Sequence, residues 1–139
     1  MGEKDYSGTP LWRKLGIREA SRVIIVGAPA RFRALIEPLP KNVRISTKTT
    51  GAPADVIVTF ETGERRLPKR FAALVKGLDP AGGLWVAYPK KSSKISTDLT
   101  FENVQAIGLR AGLVDNKSCA IDEDWSAVRF VYRLKDRPR

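Results

Sequence analysis

The chain contains no histidine and a single cysteine, Cys119, among its 139 residues. The lack of histidine excludes Ser-His-Asp and Cys-His nucleophilic sites and any histidine-ligated metal site. A lone cysteine cannot form an internal disulfide, and its apolar neighbours Ala120 and Ile121 indicate a small buried side chain. The sequence contains no complete catalytic motif of another kind, and we therefore favour a protein that is not an enzyme.

Long apolar runs are also absent. No stretch approaches the roughly 20 residues that a helix needs to cross a bilayer, and residues 1–10 lack the apolar core of a signal peptide. We therefore expect a cytoplasmic protein without a membrane partner. The length of 139 residues and the hydrophobic content of 42% predict one globular domain over residues 1–139. Residues 1–8 are polar, and we expect them to be flexible.

Charge of one sign is in excess. The chain has 25 Lys and Arg residues against 15 Asp and Glu residues, a formal net charge of +10. Such a field attracts anionic small molecules and polyanions, including nucleic acid. The basic residues are scattered along the chain rather than concentrated on one helix, as they would be on a recognition helix. The charge therefore predicts an anionic partner without identifying it.

Apolar runs and helical periodicities alternate along the sequence. Candidate strands cover residues 23–26, 43–46, 56–58, 84–88, 114–121 and 128–134, and candidate helices cover 11–15, 30–37, 67–78 and 101–111. This alternation predicts an α/β fold, a Rossmann-like three-layer doubly wound sheet that is mostly parallel. The short turn before the last strand predicts an antiparallel C-terminal hairpin.

The stretch GGLWVAYPKKSSK, residues 82–94, organises the rest of the prediction. Gly82 and Gly83 belong to a predicted turn, residues 84–88 form a buried strand, and Pro89 ends it because proline cannot donate to a sheet ladder. The polar residues that follow leave the strand at its C-terminal end, where open parallel sheets bind ligands. The glycines precede the strand, so the stretch is not a phosphate-binding loop of the strand–loop–helix type.

The exits of four predicted strands form one candidate ligand-binding edge. Its residues are Gly27, Ala28, Glu61, Tyr88, Lys90, Lys91, Ser92, Ser93, Asp122, Asp124 and Trp125. In one interpretation the lysines and hydroxyls bind an anionic ligand, and Trp125 stacks on its ring. In the other, the acidic residues 122–124 neutralise Lys90 and Lys91 while Trp125 covers the hairpin. No metal site is expected.

Five motifs carry a resemblance to a known family. They are SGTPLWRKLGI at residues 7–17, VIIVGAP at 23–29, GGLWVAYPKKSS at 82–93, TDLT at 97–100 and GLVDNKSCAIDEDWSAVRFV at 112–131. Together they resemble the bacterial family known as domain of unknown function 3052, over nearly the whole chain. The resemblance implies a trimmed relative of the class I S-adenosylmethionine-dependent methyltransferase fold, which also ends in a hairpin with an antiparallel last strand. It implies no established activity.

The sequence departs from working methyltransferases at two positions. Those enzymes have several glycines after the first strand and an acidic residue after the second. Here Gly27 is followed by Ala28 and Pro29, and the second strand runs into Thr47 and Lys48. We therefore expect a non-catalytic or accessory domain without a cofactor, which binds an anionic, phosphate-bearing ligand or partner at the C-terminal edge. The alternatives are a small S-adenosylmethionine-dependent methyltransferase-like enzyme and a nucleic-acid-binding protein.

Overall fold

The computed structural model describes residues 8–49 and 51–137. The expected flexibility of residues 1–8 therefore falls, except at Gly8, outside the described residues. The helices are α1 (Leu11–Lys14), α2 (Phe32–Leu35), α3 (Leu67–Val75) and α4 (Phe101–Arg110), followed by a 3-10 turn at Leu134–Asp136. The strands are β1 (Arg22–Val26), β2 (Arg44–Ser46), β3 (Ala54–Phe60), β4 (Leu78–Pro89), β5 (Val114–Ala120) and β6 (Trp125–Val131).

The strands form one six-stranded sheet in the order β2-β1-β3-β4-β6-β5. Neighbours from β2 to β4 pair in parallel, whereas β6 is antiparallel to both β4 and β5. The predicted α/β fold with an antiparallel C-terminal hairpin is therefore confirmed. The carboxyl ends of β1 to β5 lie at one edge, and the strand order reverses between β1 and β3. Open α/β sheets bind ligands at such a switch point.

Helices cover both faces of the sheet. Side chains alternate between the two faces along each strand, and both faces carry apolar residues that the helices bury. Along β4, Trp85 and Ala87 pack on the face covered by α1 and α2, in a core that includes Leu15 and Phe32. Leu84 and Val86 pack on the opposite face with residues of α3 and α4. Trp85 also donates its indole N–H to the carbonyl oxygen of Leu15 at 2.9 Å, which fixes the chain after α1 to the sheet.

The start of β4 differs from the prediction. The strand begins at Leu78, so Gly82 and Gly83 lie inside it rather than in a turn. A Cβ atom on Gly82 would come within 2.6 Å of the carbonyl oxygen of Asp55, and one on Gly83 within 2.2 Å of Nε of Arg129. The two glycines therefore allow close approach of neighbouring chain segments within the sheet.

The N-terminus of α4 carries a capping box. The Thr100 hydroxyl accepts the backbone N–H of Asn103 at 3.1 Å, and the Asn103 side chain accepts the backbone N–H of Thr100 at 2.8 Å. This capping box satisfies donors that the helix leaves free. None of the helices in the described part of the chain is long and apolar enough to cross a membrane. Cys119 is buried, as predicted.

Candidate functional site

The acidic turn, residues 122–124, joins β5 to β6 at the carboxyl edge of the sheet. One carboxylate oxygen of Asp122 accepts the backbone N–H groups of Asp124 at 2.8 Å and of Trp125 at 2.9 Å. The turn is thus held in shape by its own first residue. Such side-chain-to-backbone bonds are typical of aspartate in turns.

Arg31 is the cation that faces this turn. One of its terminal nitrogens lies 2.8 Å from Asp122, 3.4 Å from Asp124 and 3.6 Å from Glu123. The negative charge of Asp122, followed by that of Glu123, raises the pKa of Arg31 above its ordinary value. Because Arg31 follows the exit of β1, this ion-pair cluster ties the exits of β1 and β5 together.

Sequence reasoning missed Arg31. The alternative interpretation paired the acidic turn with Lys90 and Lys91, but among the described residues its ion-pair partner is Arg31. That interpretation is therefore wrong in its choice of cation. The position of Arg31 in the sequence could have indicated this pairing. Arg31 is the first cation after β1, and the exits of parallel strands share one edge of the sheet.

The basic loop, residues 90–94, lies against the acidic turn. The backbone N–H of Lys90 donates to the carbonyl oxygen of Asp124 at 2.8 Å. The hydroxyl of Ser93 donates to the Asp124 carboxylate at 2.9 Å and accepts the N–H of Ile95 at 3.1 Å. The structure thus places the two segments side by side, and their role in ligand binding stays a prediction.

The basic loop borders a cavity of about 240 Å³. It is smaller than a cavity of about 330 Å³ at the opposite edge of the sheet. The smaller cavity lies between the end of β4, the basic loop, the start of α4 and β6. Its lining residues are Tyr88, Pro89, Lys90, Lys91, Leu99, Thr100, Phe101, Glu102 and Ser126. Lys90 is partly buried, whereas Lys91 and Ser92 are exposed. The basic loop therefore presents its lysines both to this cavity and to solvent.

Trp125 does not face solvent as the stacking interpretation expected. It is 8% exposed, and its ring lies edge-on to that of Phe60 with a centroid distance of 5.0 Å. Phe60 in turn packs edge-on against Phe32 at 4.9 Å. The indole of Trp125 therefore packs edge-on against Phe60 in the core, because β6 begins there and turns this side chain inward.

Glu61 lies apart from the basic loop. It is 6% exposed, accepts a hydrogen bond from the hydroxyl of Thr59 and pairs with the guanidinium of Arg70 at 3.4 Å. Arg70 belongs to α3, so Glu61 faces that helix rather than the acidic turn. The carboxylate of Glu61 is thus occupied in holding α3 to the end of β3.

Gly27 occupies the switch point between β1 and β3. Its φ angle of +69° lies in the left-handed region that favours glycine. A Cβ atom at this position would lie 3.2 Å from the carbonyl oxygen of Phe60 at the end of β3. Gly27 is itself exposed, and Ala28 packs against the core beside it. The peptide at the exit of β1 is therefore accessible to a ligand in the crevice.

The end of β2 has a different chemistry. The hydroxyl of Ser46 donates to the carbonyl oxygen of Lys48 and accepts its N–H, both at 3.1 Å. The residues that follow, Thr47, Lys48 and Thr49, bear no carboxylate. The structure therefore has a hydroxyl-rich cationic segment at the position where the resemblance to methyltransferases implies an acidic residue.

Neither protein-family models nor curated proteins match the chain. The resemblance to domain of unknown function 3052 therefore stays a prediction. Solved structures do match. The chain is similar to a SAM-dependent methyltransferase from Aquifex aeolicus, with a TM-score of 0.62 and 15% identity over 86% of each chain.

Two further methyltransferases show the same similarity. The O-methyltransferase NcsB1 from neocarzinostatin biosynthesis matches with a TM-score of 0.60 and 12% identity, over 93% of this chain and 54% of its own. A TehB-like SAM-dependent methyltransferase from Corynebacterium glutamicum matches with a TM-score of 0.51 and 11% identity, over 83% and 82%. Similarity at this level of identity shows shared architecture alone. The chain has the fold of the class I S-adenosylmethionine-dependent methyltransferases.

Proposed function

We propose that this chain is a small methyltransferase-like protein that binds S-adenosylmethionine at the exit of β1. The observation that carries the proposal is Gly27, whose left-handed backbone lies exposed at the switch point and above the end of β3. Glycine at this position lets a ligand approach the backbone, which a side chain would block.

The size of the chain supports the proposal. The Aquifex aeolicus methyltransferase is matched over 86% of both chains, so a domain of similar length carries this fold in a protein named as a methyltransferase. In contrast, the chain spans about half of NcsB1, at 54%. The similarity to NcsB1 therefore concerns only the part of that enzyme that this chain covers. The features that support S-adenosylmethionine binding here belong to the sheet and its strand exits.

The residues present fit one end of the cofactor and not the other. The exposed backbone at Gly27 and Ala28 fits a ligand that lies across the exit of β1. The ribose hydroxyls would meet Thr47 and Lys48, of which the Thr47 hydroxyl accepts less strongly than a carboxylate and the Lys48 ammonium cannot accept at all. When bound, S-adenosylmethionine supplies a methyl group for transfer. We therefore propose binding that is weaker than in enzymes with the acidic residue.

Titration of S-adenosylmethionine into the protein by calorimetry tests the proposal. We expect saturable heat and a rise in melting temperature at millimolar ligand, since a ligand that binds the folded state alone stabilises it. Gly27→Ala should lose at least about tenfold in affinity, because its Cβ would lie 3.2 Å from the Phe60 carbonyl oxygen and force the exit of β1 to shift, and 1.4 kcal/mol corresponds to that factor.

The matched control is Gly112→Ala. Gly112 also has a left-handed φ, +95°, but a Cβ there would meet nothing within 4 Å. The two variants share the backbone strain, and only Gly27→Ala adds a close contact at the exit of β1. Absence of heat and of any thermal shift with the unmodified protein would contradict the proposal.

A second candidate function is binding of a phosphate-bearing partner at the basic loop. The observation that favours it is the 240 Å³ cavity bordered by Lys90 and Lys91. Neither lysine forms an ion pair with a carboxylate within residues 8–49 and 51–137. Their charges therefore remain available to an external anion.

Anisotropy of a labelled single-stranded oligonucleotide tests this second function. Binding of this polyanion should weaken steeply as salt rises, and the double variant Lys90→Ala/Lys91→Ala should weaken it about tenfold or more at low salt. Lys117→Ala/Lys135→Ala removes two exposed lysines elsewhere and should have a smaller effect. Equal loss in both double variants would show that net charge, not the basic loop, governs binding.

A further inference from the structure

A cavity of about 330 Å³ lies at the edge of the sheet opposite the candidate site. It opens where β1 and β3 begin and where β6 approaches its end. Its lining consists of Gly16, Arg18, Glu19, Ala20, Ser21, Asp55, Ala81, Gly82 and Arg129. Neither the proposed cofactor crevice nor the basic loop contributes to it, so it requires its own explanation.

Arg129 reaches this cavity across Gly83. A Cβ on Gly83 would lie 2.2 Å from Nε and 2.7 Å from the central guanidinium carbon of Arg129, so the side chain fills the space that glycine leaves. Arg129 and Trp85 are paired in the ladder between β6 and β4. The absence of a side chain at position 83 therefore allows a large cation to lie flat on the sheet.

No carboxylate among the described residues forms an ion pair with the guanidinium of Arg129. Among the described residues, ion pairs join carboxylates to Arg31 and Arg70, and Arg129 makes one long hydrogen bond of 3.5 Å to the side-chain oxygen of Asn116. Burial, followed by the positive charge of Arg18, lowers the pKa of Arg129. Two cations thus share one concave site in which one of them is partly desolvated.

Two carboxylates, Glu19 and Asp55, also line the cavity, but among the described residues neither forms an ion pair with Arg18 or Arg129. Asp55 accepts the backbone N–H of Arg22 at 2.8 Å, and the Ser21 hydroxyl oxygen accepts the backbone N–H of Arg18 at 2.9 Å. A hydroxyl that accepts one hydrogen bond still has its own proton to donate to a ligand. Two guanidinium groups and a hydroxyl donor are the groups that bind a tetrahedral oxyanion.

We propose that this cavity is a phosphate-binding site, in which Arg129 and Arg18 hold the phosphate oxygens. The planar fork of arginine matches two phosphate oxygens at once. The phosphate is either free or the terminal group of a larger molecule, since the cavity opens to solvent. The site is independent of the proposed cofactor site, because the two lie at opposite edges of the sheet.

Calorimetric titration of inorganic phosphate into the full chain tests the proposal. We expect saturable binding at one site, and Arg129→Gln should weaken it at least about tenfold, because a charge-assisted hydrogen bond contributes that much. Arg18→Gln should weaken it in the same direction. Arg133→Gln removes one exposed charge outside the cavity and should leave the affinity within about twofold.

Two more variants keep the test decisive. Gly83→Ala should displace the guanidinium of Arg129 and weaken phosphate binding without removing any charge. Lys90→Ala/Lys91→Ala should leave it unchanged, because those lysines lie at the other edge. Tighter binding of glycerol phosphate than of inorganic phosphate would support a larger ligand, and the reverse would support free phosphate. Equal affinities of the unmodified, Arg129→Gln and Arg18→Gln proteins would overturn the proposal.

Discussion

Replacing Trp85 with alanine is expected to lower the free energy of unfolding by about 3–5 kcal/mol. Trp85 is 1% exposed, the largest side chain among those that are fully buried in the described residues. Its removal leaves a cavity beneath the chain that follows α1, and it deprives the carbonyl oxygen of Leu15 of its 2.9 Å hydrogen bond. The loss is large against a total stability of about 5–15 kcal/mol for an ordinary domain. Urea unfolding followed by far-UV circular dichroism measures it.

Trp85→Phe separates the two contributions. Phenylalanine retains most of the apolar contact but cannot donate to Leu15, so we expect a loss of about 1–3 kcal/mol, the cost of an unsatisfied buried acceptor together with a small cavity. Equal losses in both variants would show that the hydrogen bond, rather than the buried ring, fixes α1 to the sheet. A loss under about 1 kcal/mol for Trp85→Ala would contradict the packing described here.

Gly82→Ala is expected to destabilise the fold by about 2–3 kcal/mol, and Gly83→Ala by less than about 1 kcal/mol. The two glycines are neighbours in β4, but different groups face them. A Cβ on Gly82 would meet the backbone of β3, with 2.6 Å to the Asp55 carbonyl oxygen and 3.1 Å to that of Ala54. Backbone in a paired strand cannot retreat without loss of the sheet ladder. Thermal and urea unfolding of both variants measure the difference.

The obstacle at Gly83 is the end of the flexible Arg129 side chain, which can rotate into solvent. Part of the cost of Gly83→Ala is offset, because alanine restricts the unfolded chain more than glycine does. The double variant Gly83→Ala/Arg129→Ala provides the control, and it should be no less stable than Arg129→Ala alone. If Gly82→Ala were tolerated as well as Gly83→Ala, the close pairing of β3 and β4 at this position would be wrong.

Local patterns were sufficient to predict the architecture. Apolar runs marked the central strands and helical periodicity marked α4, because these signals depend on neighbours within a few residues. The short connection before β6 predicted the antiparallel hairpin for the same reason. The chain order of strands and helices then left few arrangements of the sheet, since parallel strands joined by helices follow one hand of crossover.

Predictions failed where distant segments decide the local structure. Gly82 and Gly83 resemble a turn in sequence, but their role depends on Asp55 and Arg129, which pack against them from two other strands. In the same way, the pairing of Arg31 with Asp122 joins residues 91 positions apart, and no local pattern marks it. The candidate edge was thus predictable as a location, whereas its ion pairs required the fold.

The position of β6 has a consequence for synthesis of the protein. β6 lies between β4 and β5 and pairs with β4 through residues 125–130 opposite 84–89. As the chain leaves the ribosome, β1 to β4 emerge before β6, and the free edge of β4 stays open until β6 follows. An open apolar edge invites pairing with other chains. The nascent chain is therefore vulnerable to aggregation in the interval between the synthesis of β4 and that of β6.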